Sequence, residues 1–411
     1  MKGFSTKAIH GIALKKDAHG ALRFPLYDSV AFEYETSDDI RLAFEGKKPS
    51  HSYTRITNPT IEDFEQRVRL LSDATGVVAV SSGMAAITNT ILALAEAGSN
   101  IISTKFIFGN TFSLFENTLK PWGLNVTYIN MEELDTLHDS INCKTRAVFL
   151  ETITNPQLQV ADIEAIANIT KEHHVPLVVD GTLTTPYIFK SKDFGVDVEV
   201  LSSTKYISGG ATTVGGLIID NGNFDWSLNP KVQEWSKKVG PLAFITKLKR
   251  EVYRNLGSCL SPHNAYLQAL GLETLSLRID RNCENTLKLA EYLKACKKVK
   301  SVNYPGLKDS KYYETANKQF GNRFGGILTF ELESKDQCFQ FMDNLKLIRR
   351  ATNLNDNKTL ILHPASTIFC EYTPKQKEEM GVSESMIRLA VGIEDVEDII
   401  EDITRGLEAL Q

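Results

Sequence analysis

Three short segments set groups capable of covalent chemistry at the ends of apolar runs. In VEVLSSTKYISGG, Lys205 follows Ser202, Ser203 and Thr204 directly after an apolar stretch. A lysine at the end of a buried strand is costly unless its charge is tuned or its amine is covalently engaged, and the flanking hydroxyls suit an anion. Alone, the segment reads equally well as a surface lysine in a Ser/Thr-rich loop. In PLVVDGT, Asp180 closes a second apolar run. Ligands of open α/β sheets sit beyond the carboxyl ends of the strands, and a carboxylate there suits the protonated ring nitrogen of an electron-sink pyridine. The bland alternative is a turn or helix cap. In VSSGMAA, a strand ends in Ser81, Ser82 and Gly83 and a helix begins near Met84. Free N–H groups at a helix start, with glycine allowing close approach, form a phosphate site; the alternative is an ordinary N-cap. Together the three supply a phosphate cradle, a pyridinium partner and a covalent lysine.

These residues need a sheet that brings strand ends together. From Gly76 onward, short β-rich runs alternate with helical stretches: GVVAVSS, then Met84 to Ala97; NIISTKF, then Thr111 to Lys120; LNVTYIN; RAVFLET, then Asp162 to His173; PLVVDG; VDVEVLSS; VGGLIID. Strands apolar throughout and separated by helices predict a largely parallel sheet covered on both faces, an α/β doubly wound domain. Residues 1–60 lack that alternation and read as an arm that is disordered or packed on a partner. After Leu256, one long helical stretch from Ser261 to Ala295, alternating runs such as GGILTFELE and a closing helix through Leu410 predict a smaller α+β domain. The expected division is an arm at 1–60, a large domain at 61–255 and a small domain at 256–411.

A chain of 411 residues, 42% hydrophobic and 24% charged, can bury two sizeable cores. The net charge of −5 argues against binding the nucleic-acid backbone. No apolar run is long enough to span a bilayer and the start, MKGFSTKAIH, has no apolar signal core, so a cytoplasmic enzyme is expected. The six cysteines are scattered without C-x-x-C or Cys/His clusters, which predicts neither disulfides nor a metal site.

The ordered set SYTRITNPT, SSGMAA, ETITNPQLQVADI, VVDGT, SSTKYISGG, LSPHNA, LILHPAST and MIRLAVGIED runs from about Phe4 to Leu410. It resembles the Cys/Met-metabolism family of pyridoxal 5′-phosphate (PLP) enzymes of fold type I. That family includes cystathionine γ-synthase, cystathionine lyases, methionine γ-lyase and O-acetylhomoserine sulfhydrylase. The resemblance implies that Lys205 bonds to the cofactor and that Asp180 binds the pyridine nitrogen. It implies that Gly83, Met84, Ser202 and Thr204 hold the phosphate, with Tyr53 and Arg55 reaching the phosphate of a neighbouring subunit's cofactor. Asn155 matches a contact to the ring oxygen. Arg388 matches the arginine that clamps the substrate carboxylate, for which a bidentate guanidinium is suited, and Asn353 and Tyr53 fall beside the substrate. A homotetramer built from dimers with shared sites follows.

The sequence departs from the family pattern at specific places. Where a ring-stacking tyrosine is usual, FGNT supplies Phe108, so stacking survives without the phenol. D-N-T becomes DGT with Gly181, L-G-D becomes LND with Asn355, and T-T-H becomes TIF from Thr367 to Phe369. The stretch GLETLSLRIDRNCENTLKLAEYL, with ATNLND and HPAST, resembles the O-acetylhomoserine sulfhydrylase branch more than the lyases. The expected reaction is γ-replacement on an activated homoserine ester. The alternatives are methionine γ-lyase or a cystathionine lyase or synthase, and a degenerate PLP-fold binding protein. His363 reads as a core or supporting residue, His173 and His174 as a helix end beside Pro176, Tyr312 and Tyr313 as surface, and Cys370 as an inert thiol near the substrate mouth.

Overall fold

Apolar runs such as GVVAV and AVFLE bury both faces only inside a layered sheet, and a sheet of seven strands forms here, with a single half-buried strand at one edge. In the computed structural model, which describes residues 3–11 and 19–410, the seven are β1 (Gly76–Val80), β2 (Asn100–Ser103), β3 (Asn125–Tyr128), β4 (Thr145–Glu151), β5 (Leu177–Asp180), β6 (Val198–Leu201) and β7 (Gly216–Asp220). Their order is β1-β7-β6-β5-β4-β2-β3. All pairings are parallel except those of β7, which runs against both β1 and β6. The carboxyl ends of β1, β4, β5 and β6 therefore emerge along one edge. Alternate residues face opposite cores: Val179 and Leu150 face the helix Pro59–Ser72, whereas Val178 and Phe149 face the other layer, where Phe149 meets Phe115 edge-on at 5.5 Å. Truncating such a ring to alanine costs about 3 to 5 kcal/mol.

The helix Pro59–Ser72 starts where Asn58 caps Thr60 N and proline occupies the first turn, and it stops at Asp73 in the left-handed region. Ser82 caps the helix Gly83–Leu94 in the same manner, through Ala85 N. The stretch from Ser261 to Ala295 is two helices, Pro262–Glu273 and Leu275–Ala295, not one. Thr274 leaves helical geometry, and Arg278 satisfies the freed groups by donating to Gly271 O at 2.7 Å and Thr274 Oγ1 at 3.1 Å. A break repaired by a side chain four residues on carries no Pro or Gly at its own position. The expected helix at Thr111 to Lys120 is likewise subdivided, into Gly109–Ser113, a wide turn Leu114–Leu119 and a tight turn Lys120–Trp122.

A second sheet contains β8 (Ser301–Asn303), β9 (Ile327–Glu331), β10 (Arg349–Arg350), β11 (Leu360–Leu362) and β12 (Met386–Ala390), in the order β10-β11-β12-β9-β8. In central β12, Arg388 pairs across with Leu362 on one side and Thr329 on the other. The arm contains short helices at Phe4–His10 and Ser37–Phe44 and a bridge between Ala31 and Tyr53; its residues 1–2 and 12–18 lie outside the described residues. Among the described residues no helix is long and apolar enough to cross a membrane, and no cluster of metal-ligating side chains occurs. Tyr312 corrects a reading: it is buried, with its hydroxyl donating to Glu132 Oε1 at 2.8 Å, because Glu132 reaches across from the large sheet's layer.

Candidate active site

The shared edge of β1, β4, β5 and β6 opens into a cavity of about 460 Å³, closed on the far side by Arg388 of the second sheet. Lys205 leaves the turn after β6 and projects into it, half-buried. Its Nζ donates to Asn353 Oδ1 at 2.7 Å. Burial first, and then the like charge of Arg388, lower the Lys205 ammonium to about 8, with Asp356 opposing. A neutral amine is thus far more available here than on a surface lysine.

Asp180, the last residue of β5, faces the same cavity. Its Oδ1 accepts from Thr182 N at 2.8 Å, and Thr182 Oγ1 in turn accepts from Ser202 N at 2.8 Å, so the loops after β5 and β6 are fastened to one another. Burial raises the carboxyl to about 6 although those hydrogen bonds favour its anion. A cationic ring nitrogen beside it would restore the anion.

At the end of β1, Ser82 serves Ala85 N through Oγ and Ala86 N through its carbonyl, and Gly83 and Met84, in the first turn whose N–H groups have no intrahelical partner, line the cavity. A Cβ on Gly83 would stand 2.7 Å from Ser202 Cβ, so only glycine lets these two loops close on the same point. Ser202 and Thr204 line that point, and Thr204 Oγ1 is held by Gly215, donating to its carbonyl at 3.1 Å and accepting its N–H at 3.0 Å. Phe108 and Asn155 complete the wall. An anion cradle, a carboxylate and an amine thus surround one space sized for a substituted ring, and the donor set fits a phosphorylated pyridine aldehyde.

Arg388 is buried, and burial lowers its guanidinium to about 10. Nη1 donates to Asn155 Oδ1 and Nη2 to Asn353 O, each at 3.1 Å, while Nε has no partner. A carboxylate arriving from the cavity would supply the counter-charge this group lacks.

Residues 5–408 match the family of Cys/Met metabolism PLP-dependent enzymes. The chain belongs to that family. Over 99% of its length it is 36% identical to the O-acetyl-L-homoserine sulfhydrylase of Corynebacterium glutamicum, 97% of which is covered. A solved structure from Campylobacter jejuni, described as an O-acetylhomoserine (thiol)-lyase, is 32% identical and superposes with a TM-score of 0.94 over 99% of this chain and 100% of that one. That chain carries an N′-pyridoxyl-lysine-5′-monophosphate at its own position 205. The O-acetylhomoserine sulfhydrylase of Wolinella succinogenes, which acts in methionine biosynthesis, is 51% identical over 85% of this chain and 97% of its own, with a TM-score of 0.79. Mixed α/β architecture of fold type I and the PLP cofactor follow for this chain.

Within this single chain, Tyr53 and Arg55 do not line the cavity. Both are exposed; Arg55 lies over the Tyr53 ring at 5.5 Å and donates to Arg254 O at 2.6 Å. Asn353 is present but holds Lys205 rather than open space. Sequence reading missed Glu151, which ends β4 beside Asp180 and lines the cavity. The rule that singled out Asp180, a carboxylate closing an apolar parallel strand, applies equally to RAVFLE. His363 is a supporting residue, as expected: buried, with Nδ1 bonded to Ser366 Oγ and Nε2 to Glu384 O, both at 2.8 Å.

Proposed function

We propose that this chain carries out γ-replacement on O-acetyl-L-homoserine. The Cγ–O bond breaks and acetate leaves, a Cγ–S bond forms with hydrosulfide, and homocysteine is the product. The observation that carries the reading is the opposition of Lys205 and Arg388 across one cavity whose wall includes Phe108 but no tyrosine. The likeness to sulfhydrylases over nearly the whole chain supports it. Held by Lys205 at rest, the cofactor would supply, once its carbonyl carbon is joined to the substrate's amino group instead, an electron sink that acidifies the Cα and then the Cβ hydrogens.

The chain's own residues supply the rest. Asp180, as an anion, holds the proton of the ring nitrogen. Gly83, Met84, Ser202 and Thr204 receive the phosphate, and Asn155 the ring oxygen. Phe108 presents an aromatic face for stacking. Arg388 fixes the substrate carboxylate, which orients the Cα–H toward the Lys205 amine, and that amine, released when the substrate's amino group takes its place, takes protons from Cα and Cβ and returns them after the Cγ–S bond has formed. Acetate departs without needing a proton, so no phenol is required. Tyr53 and Arg55 complete the site from a neighbouring subunit, which makes the working unit at least a dimer and a tetramer of two such pairs; we place it in the cytosol.

A substrate panel tests the reading. Enzyme with PLP is offered O-acetylhomoserine, O-succinylhomoserine, cystathionine and methionine, with and without sulfide, and homocysteine and 2-oxobutanoate are measured. Homocysteine from O-acetylhomoserine plus sulfide is the expected dominant product. Faster 2-oxobutanoate release from methionine or cystathionine would replace this reading with a lyase.

A further inference from the structure

One buried carboxyl group joins two walls of the cavity that are far apart in sequence. Glu151 ends β4 and is 6% exposed. Its Oε1 accepts from Phe108 N at 2.6 Å and its Oε2 from Asn155 N at 3.3 Å. Phe108 begins the helix Gly109–Ser113 on one side of the cavity, and Asn155 lies on the other, where Oδ1 receives Arg388 Nη1 at 3.1 Å. A continuous path therefore runs from the aromatic face through Phe108 N, the Glu151 carboxyl, and Asn155 to the guanidinium. No other side chain bonds both segments among the described residues.

We propose that Glu151 is a positioning residue that sets the ring-stacking wall and the substrate-carboxylate clamp as one unit. The inference rests on the roles given above to Phe108 and Arg388, not on which amino acid is the substrate. Two features make a plain space-filling role inadequate. First, both carboxyl oxygens are spent on backbone N–H groups of lining segments, so each wall loses a buried partner if the group is removed. Second, the group stands beside Asp180 in register across β4 and β5, a costly juxtaposition of two buried carboxyls in which burial and then the Asp180 charge push the Glu151 proton affinity well up. An apolar residue would fill that volume without the cost; what it could not do is receive the two N–H groups.

The test uses PLP-loaded enzyme and reads the visible circular dichroism of the bound cofactor, which reports ring orientation, and the dissociation constant of an amino acid from a spectral titration. Glu151→Ala is expected to keep the visible absorbance, because Lys205 is untouched. It should lose about half or more of the visible dichroism and weaken amino-acid binding about tenfold. Glu151→Gln retains one acceptor for the shorter bond to Phe108 N, so it should keep the dichroism while still weakening amino-acid binding. Combining either variant with Asn155→Ala should give no greater loss of affinity than the worse single change, since both cut one path. Wild-type dichroism and affinity in Glu151→Ala, or fully additive losses in the double variant, overturn the proposal. Should Glu151→Ala fail to fold or to take up PLP, Glu151→Gln with Asn155→Ala decides by the same additivity criterion. If wild-type enzyme binds none of the amino acids offered, it is the substrate reading that fails, and the dichroism still decides the role of Glu151.

Discussion

Lys205 and Arg388 meet at one residue: Asn353 accepts the lysine Nζ on its side-chain oxygen at 2.7 Å and the arginine Nη2 on its backbone oxygen at 3.1 Å. Two cations, one from the turn after β6 and one from β12, are thereby held across a single cavity, each with its charge made costly by burial. Covalent engagement would relieve the amine, and a carboxylate would relieve the guanidinium.

Lys205→Ala should abolish the visible absorbance band, expected near roughly 420 nm, and remove turnover, because among the described residues no other amine lines the cavity. Absorbance spectra before and after reconstitution with PLP check this. A variant retaining both band and turnover would remove Lys205 from its role.

Arg388→Ala should leave cofactor absorbance intact and raise KM for amino-acid substrates, a loss of about 2 to 5 kcal/mol in kcat/KM. Asn155 Oδ1 would also lose its donor. Unchanged kinetics would move the carboxylate clamp elsewhere.

The exposure of Tyr53 and Arg55 in a single chain leads to a complementation experiment. Arg55→Ala and Lys205→Ala subunits, each inactive alone, should regain activity when reassembled together. In a random mixture of dimers about a quarter of the sites would contain both intact residues. No recovery in verified hybrids counts against the shared site.

Several carboxyls lie buried away from the cavity. Burial raises Asp197 and Asp220 to about 7 and Glu199 to about 8. The folded chain then holds protons that the unfolded chain releases near pH 4, so this contribution to stability is present below that pH and lost as the pH climbs through 7 to 8. His51 and His363, lowered by burial, act in the opposite sense as the pH falls below the imidazole's ordinary 6.5. Glu199→Gln isolates one group: by urea denaturation of PLP-free protein, its stability relative to wild type should improve between pH 5.5 and 8.5. A difference that does not change with pH would show that Glu199 is already ionised in the folded chain.

Glu199 also explains a departure that sequence alone left unexplained. Its carboxyl oxygen Oε1 occupies the place of a Cβ on Gly181, while Oε2 receives Ser191 Oγ at 2.6 Å. Glycine in DGT is therefore the complement of a glutamate on the next strand, a relationship no local pattern encodes. Asn355 takes the left-handed conformation, φ +53°, that glycine in L-G-D would adopt freely. The strands were legible because burial on both faces leaves unbroken apolar runs, and Lys205, Asp180 and Gly83 because strand ends punctuate those runs. Asn353 as a partner of Lys205, and the two-sided reach of Glu151, depend on how separate loops close in space.

Phe108 carries the last prediction. Phe108 lines the cavity and its N–H is fixed by Glu151, so an aromatic side chain without a hydroxyl stands where the proposed reading places the stacking face. Among the described residues no tyrosine lines the cavity, and the hydroxyl of nearby Tyr372 is committed to Gly109 O at 2.7 Å. In the proposed reading, proton delivery to a departing group is left to Lys205 and to Tyr53 of a neighbouring subunit. A positioned acid contributes typically about 10²- to 10⁴-fold when the leaving group needs a proton. A thiolate leaving from methionine or cystathionine benefits from one, whereas acetate does not. Phe108→Tyr should consequently raise γ-elimination from methionine or cystathionine at least tenfold more than it raises turnover of O-acetylhomoserine, with PLP affinity near that of wild type because the aromatic face is kept. Parallel measurement of 2-oxobutanoate and homocysteine formation in both proteins checks this. Equal effects on ester and thioether substrates would show that the missing phenol does not set leaving-group preference. Wild-type enzyme that already cleaves thioethers as fast as it uses the acetyl ester would remove the basis for choosing replacement over elimination.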